Sequence, residues 1–238
     1  MPMRDAARAA CLSRAFLCSW RCHPNLNLNW YTLSSNKHRV NLSTIIDSIL
    51  RNHSVIGLKI LRLNLYCQYS AFSYIDSWLQ LAVTPGIEEL NLRLYKKYNF
   101  PCSLLSDGVR NSIRSIELNC CTFRPTAELG PLRRLTKCLL SNSLALEQLD
   151  LFDCNKIIFL KIPCALLQLS CLTVVSCWHL QVIENKAPNL SSLEFGGNVI
   201  GETLQMKNLS TDHSEAVCYA GAKLPPIMPN LETLDIRS

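Results

Sequence analysis

Charge and glycine are both scarce in this sequence. Charged side chains make up 18% of the 238 residues, and there are only 8 glycines and 11 prolines. So little glycine and proline excludes a collagen-like or linker chain. A hydrophobic fraction of 48% excludes a wholly disordered one. Nucleotide-binding glycine loops, a His-Glu-x-x-His helix and a Gly-x-Ser-x-Gly elbow are all missing. The adjacent carboxylates Glu88 and Glu89 point to opposite sides of a strand, which does not suit two groups working on one bond. An enzyme is therefore not expected, nor is a cofactor.

The 13 cysteines are odd in number and contain no Cys-x-x-Cys, and no hydrophobic signal run stands before them. Reduced intracellular thiols are the expectation. Cys18, Cys22 and His23 are metal-ligand types without a second pair at zinc spacing, so no metal is expected. Net charge is +6, yet residues 1–46 hold Arg4, Arg8, Arg14, Arg21, Lys37 and Arg39 against Asp5 alone, a balance of +5. The rest has no basic field of the kind nucleic acid needs. Ile162 to Ile183 lacks formal charge but contains Pro163, Gln168, His179 and Gln181. It reads as part of a repeat, and no membrane span is expected.

Leucine is the excess residue, at 41 of 238. It recurs in the frame Leu-x-x-Leu-x-Leu-x-x-Asn/Cys, which is the pattern of a leucine-rich repeat. Four stretches fill the frame: Ile113-Ile116-Leu118-Cys121, Leu146-Leu149-Leu151-Cys154, Leu169-Leu172-Val174-Cys177 and Leu190-Leu193-Phe195-Asn198. Leu58-Leu61-Leu63-Tyr66 and Ile87-Leu90-Leu92-Tyr95 carry tyrosine at the ninth place, and Leu231-Leu234-Ile236 opens a copy that the chain end cuts off. The interval from Leu190 to Leu231 could hide a degenerate copy, and Leu132-x-x-Leu135 reads as a damaged one over 132–145.

Period-two alternation makes each frame a short strand whose leucines face inward. One strand cannot bury its own apolar face, so the copies stack into a parallel sheet. The ninth residue turns the chain away, which assigns Cys121, Cys154 and Cys177 to structure. Helical return segments are expected at Ile75, Trp78, Leu79 and Ala82 behind a Ser73 cap. Another is expected at Ile45, Ile46, Ile49 and Leu50 behind a Ser43 cap. Pro85, Pro188 and Pro229 stop returns two residues ahead of a strand. The frame Pro24-Asn25-Leu26 points to an extra strand at Leu26 and Leu28. The predicted architecture is an α/β leucine-rich-repeat solenoid with a curved parallel sheet and helical or irregular returns, preceded by a short N-terminal helix.

Residues between the leucines face out and stack in rows. The middle row is Arg62, Asn91, Glu117, Asp150, Thr173, Glu194 and Asp235. The following row contains Asn64, Arg93, Asn119, Phe152, Val175, Gly196 and Arg237. The expected ligand is a protein or peptide on this concave face, with Phe152 central, Val175 an exposed apolar neighbour and a basic group meeting Asp150.

Residues 1–20 favour helix through Ala6, Ala7, Ala9 and Ala10, with Leu12, Phe16 and Trp20 as an apolar stripe. The run Pro2-x-Arg4-Asp5, then Leu12-Ser13-Arg14-x-Phe16 and Trp20, resembles the second half of an F-box. With the cysteine-type repeats, the chain resembles plant F-box/leucine-rich-repeat proteins. That resemblance implies a substrate receptor of an SCF-type ubiquitin ligase. Pro2, Leu12, Phe16 and Trp20 would dock on the Skp adaptor, and the repeats would hold an unknown protein substrate. It divides the chain into an F-box remnant, 1–24, and a solenoid, 25–238, truncated at its last repeat. The family's Leu-Pro-x-(Asp/Glu) opening is missing ahead of Met1, which would weaken or abolish adaptor binding. A leucine-rich-repeat interaction module without a ligase role is the alternative. Cytoplasm or nucleus is the expected location. The same arginine-rich segment also fits an organellar presequence.

Overall fold

A computed structural model describes residues 5, 8, 11–33, 42–54, 56–65, 72–124, 143–196, 205–208 and 230–237. After helix α1 (Arg14–Arg21), the chain enters strand β1 (Asn25–Asn29) and the short helices α2 (Trp30–Leu33) and α3 (Leu42–Asn52). Strand β2 (Ile60–Asn64), a 3-10 turn (Phe72–Tyr74) and helix α4 (Ile75–Ala82) lead to β3 (Glu89–Pro101). A second 3-10 turn (Cys102–Leu104) and α5 (Asp107–Arg110) precede β4 (Ser115–Arg124) and β5 (Gln148–Phe152). The remaining strands are β6 (Phe159–Ile162), β7 (Cys171–Val175), β8 (Val182–Asn185), β9 (Ser192–Gly196), β10 (Gln205–Asn208) and β11 (Thr233–Arg237).

The leucine frames become one eight-stranded sheet in the order β1-β2-β3-β4-β5-β7-β9-β11, with every pair parallel. The strand suggested at Leu26 and Leu28 is its first member. The inward pairs from Leu26 through Leu193 are at most 2% exposed, and Phe195 is 7%. Each such aliphatic side chain contributes about 1.5–3 kcal/mol by leaving water. Register is set by a repeated device at the strand entrance. The Pro24 carbonyl accepts from the N–H groups of Lys59 and Ile60, and Lys59, Glu88, Arg114, Glu147, Ser170 and Ser191 repeat the pattern at 2.7–3.1 Å. A one-residue slip would break both bonds and turn the leucines outward.

The ninth-place cysteines lie inside, as expected. Cys121, Cys154 and Cys177 are buried, and each sulfur lies near a backbone carbonyl. Cys154 Sγ is 3.5 Å from Leu118 O and 3.4 Å from Phe152 O; Cys177 Sγ is 3.7 Å from Leu151 O. The residue before each cysteine makes the turn: Cys120, Asp153 and Ser176 have φ of 57°, 52° and 57°. These are left-handed conformations that cost a side-chain-bearing residue about 1 kcal/mol or more.

Several expectations need correcting. Tyr95 is not a ladder residue. β3 runs on past it with a register shift between Arg93 and Tyr98, and Tyr98 pairs with Cys121 instead. Tyr98 is buried and donates its hydroxyl to Asp76, while Tyr95 is exposed. Ser43 lies within α3, buried, and Tyr74 rather than Ser73 is the N-cap of α4, so neither serine caps as predicted. The apolar faces hold all the same: Ile46 and Leu50, and Ile75, Trp78, Leu79 and Ala82, are buried. Pro85 and Pro188 lie two residues before the first leucine-type position and four before the strand itself. Cys102 is disulfide-bonded to a partner outside the described residues, whereas nine described cysteines are free thiols.

Two pairings bear on the irregular repeats. β4 pairs directly with β5, and β9 directly with β11. Most of the damaged copy at 132–145, and also Tyr66 and Asn198, lie outside the described residues. The return segments add an unexpected second parallel sheet, β10-β8-β6. There buried Glu184 forms an ion pair with Lys161, Nζ lying 2.9 Å from Oε1. Among the described residues no helix is long and apolar enough to cross a membrane. The uncharged run at 162–183 is interrupted by β7, which belongs to the repeat frame.

Candidate functional site

The strand register stacks the outward side chains into three rows. The middle row runs Asn27, Arg62, Asn91, Glu117, Asp150, Thr173, Glu194 and Asp235, adding Asn27 to the expected series. The following row runs Asn29, Asn64, Arg93, Asn119, Phe152, Val175, Gly196 and Arg237. A row ahead of these contains Glu89, Ser115 and Gln148.

Charges on this face pair diagonally. Arg62 on β2 grips Glu89 on β3 through Nε and Nη2 at 2.6 and 2.9 Å. Arg93 on β3 reaches Glu117 on β4 at 2.5 Å, and Asn91 donates to the same carboxylate. Hydrogen bonding to its carboxylate raises each guanidinium further. In both pairs the acid lies on the next strand, one row nearer its start; sheet twist favours such diagonals.

Asp150 breaks the pattern. The corresponding position on β4 is Asn119, so no cation is supplied. Asp150 is 8% exposed. Gln148 donates to its Oδ2 at 2.6 Å, Thr173 bonds the carboxylate, and Oδ1 has no partner in good hydrogen-bonding geometry. Burial raises the Asp150 carboxyl above the usual range, with Glu117 and Glu194 adding to the rise.

The face is hollow over β1 to β5. A depression of about 570 Å³ is lined by Asn27, Arg62, Glu89, Asn91, Gln148 and Asp150, among others. A second, of about 370 Å³, lies toward the strand ends between Tyr31 and Phe152, over Arg93 and Asn119. The first size suits a few side chains of a ligand. Phe152 and Val175 are neighbours in register, as read from the sequence, but both are half-buried rather than exposed. Phe152 borders the second hollow. Thr173, Glu194 and Asp235 are half-buried, Gly196 is buried, and the side chain of Arg237 lies outside the described residues.

Sequence reading missed Asn27, Asn29, Tyr31, Glu89, Ser115 and Gln148 as lining residues. Extending the register by one strand and one row would have found all but Tyr31. That residue belongs to α2, whose first turn is held by Asn29 Oδ1 accepting from Tyr31 N at 2.9 Å.

At the N-terminus, Ser13 caps α1, its hydroxyl accepting from Ala15 N at 3.2 Å. The apolar stripe is therefore not one continuous helix, because Leu12 lies in the turn ahead of the cap. Leu12 and Phe16 are 84% and 51% exposed. Trp20 packs edge-on against His53, with ring centroids 6.3 Å apart. Pro2 lies outside the described residues.

Residues 49–238 match the family model described as At1g61320/AtMIF1, LRR domain. The chain belongs to this leucine-rich-repeat family. No curated protein matches the chain. The LRR match begins within α3, yet β1, ahead of it, pairs with β2 in the same sheet. The hollowed face thus spans both matched and unmatched residues.

Proposed function

We propose that this chain is a non-catalytic receptor that holds a polypeptide on the outward face of its repeats. It would be a curved solenoid serving as the substrate-recognition subunit of an SCF-type ubiquitin ligase, in cytoplasm or nucleus. The observation that carries the receptor reading is the hollow over β1 to β5, where polar side chains from five strands converge. The ligase link rests on the F-box-like run and on Leu12 and Phe16, which offer apolar surface to water. Pro2, Leu12, Phe16 and Trp20 are the proposed adaptor contacts, and 1–24 the adaptor-binding segment.

Affinity purification of the full chain tests this. Copurification of the Skp adaptor and cullin, lost on combined Leu12→Asp and Phe16→Asp, supports the ligase role. Partners that persist in both forms without Skp favour the plain LRR interaction module.

A further inference from the structure

Asp150 lines the larger hollow, nine-tenths buried, with Gln148 and Thr173 on its carboxylate and Oδ1 without a partner in good hydrogen-bonding geometry. Burying a carboxylate with so few donors costs folding free energy unless more arrive. Among the described residues no cation forms an ion pair with it. Arg62 and Arg93 are engaged by Glu89 and Glu117, and Asn119 stands where the diagonal pattern would put the next arginine. By sequence, the three rows hold three arginines against five carboxylates, a balance of −2 on a chain of +6. A cation is the missing partner on charge grounds.

The second hollow fixes what stands beside that cation. Asp150 and Phe152 are i and i+2 on β5, so their side chains emerge about 6.7 Å apart along the strand. An extended polypeptide repeats its facing side chains every two residues at the same spacing. Tyr31 and Phe152 supply aromatic walls to that second hollow.

We propose that this face recognises an extended polypeptide segment carrying a lysine or arginine and, two residues away, an aromatic or branched aliphatic residue. The cation seats on Asp150, and the apolar side chain lies between Tyr31 and Phe152. Swinging aside the exposed Gln148 side chain opens the carboxylate to the incoming donor. The proposal rests on the receptor reading and names its ligand class.

The test screens the purified full chain against displayed random peptides. Wild type is expected to enrich the basic-x-apolar pair. Asp150→Asn should lose the basic preference and keep the apolar one; Phe152→Ala should do the reverse. Asn119→Arg, which supplies an internal cation, should also lose the basic preference, with folding verified by thermal melting. Norleucine in place of the basic residue of the best peptide should weaken Kd by about tenfold or more; this readout needs no protein variant. Enriched peptides lacking the pair, or a basic preference unchanged in Asp150→Asn, overturn the proposal and leave the receptor reading standing. No peptide enriched by wild type overturns both. Loss of Skp copurification alone removes only the ligase link.

Discussion

Trimming Cys154 to alanine probes the ninth-place ladder directly. The side chain is fully buried, and its sulfur lies 3.5 Å from Leu118 O and 3.4 Å from Phe152 O. Removing one sulfur forfeits roughly the burial of a methylene, about 1 kcal/mol, and leaves a small cavity. The weak S–H bond adds several tenths, so the expected loss is about 1.5–2 kcal/mol. For a chain of this size that lowers Tm by about 3–8 °C. Urea unfolding followed by circular dichroism measures it, with an unchanged m-value showing that the unfolded state is not the cause. Cys164→Ala, at an exposed thiol, is the control and should stay within about 0.5 kcal/mol of wild type. Cys154→Ser keeps a donor and should fall between the two. Native-state labelling adds an independent readout. Hydrogen bonding to Cys177 and burial push the Cys154 thiol up, and burial does the same to Cys121. Cys164 should therefore react with a thiol reagent well before either. A Cys154→Ala loss no larger than that of Cys164→Ala would refute the ladder's structural role.

The left-handed turn at Ser176 gives a signed pair of outcomes. Ser176→Gly should raise stability by up to about 1 kcal/mol and Ser176→Val should lower it by about 1–2 kcal/mol, both read by urea titration; equal effects would dismiss the strain. Asp150→Asn should stabilise the chain by about 1 kcal/mol at neutral pH. Because the folded carboxyl is raised, wild type bears no penalty below the unfolded value, and the penalty grows as pH rises from there through the folded value. A Tm difference that shrinks with rising pH would contradict this. His53 is lowered by burial, so its contribution is present above the ordinary histidine value and lost as pH falls through the folded one. Hydrogen exchange across α1, corrected for intrinsic rates, should quicken at pH 5 relative to pH 7.5; unaltered protection would rule out a role for the Trp20–His53 contact.

The parts of this fold legible in the sequence are those that period two controls. Leu118, Leu151 and Val174 point into a common interior on neighbouring parallel strands because no other placement buries them together. The same periodicity fixed which residues share a row. Backbone sign was not legible: Cys120, Asp153 and Ser176 share no side-chain chemistry, and their left-handed turns follow from the need to send the ninth residue inward. Nor was the excursion of β3 from Leu94 to Lys97, where two tyrosines competed for the ladder and burial chose Tyr98 over Tyr95. Serine identity misled at the helix starts, since Ser43 is buried inside α3 and its hydroxyl is not at a cap.

Electrostatics on the outward face depended on a relation that rows alone do not show. Reading along the middle row places Glu117 between Asn91 and Asp150 and suggests a run of acids facing a ligand. Arg93, one row over and one strand back, removes Glu117 from that role, as Arg62 does Glu89. Where the diagonal delivers Asn119, the next acid receives no guanidinium hydrogen bond and feels Arg93 only through space. Asn119 Oδ1 is itself buried without a partner, so one substitution in the diagonal leaves two polar groups under-satisfied side by side. Folding free energy alone favours arginine there, because a diagonal pair would satisfy Asp150 as it satisfies Glu117. Asparagine keeps the carboxylate available, and that is the trade expected where stability yields to binding.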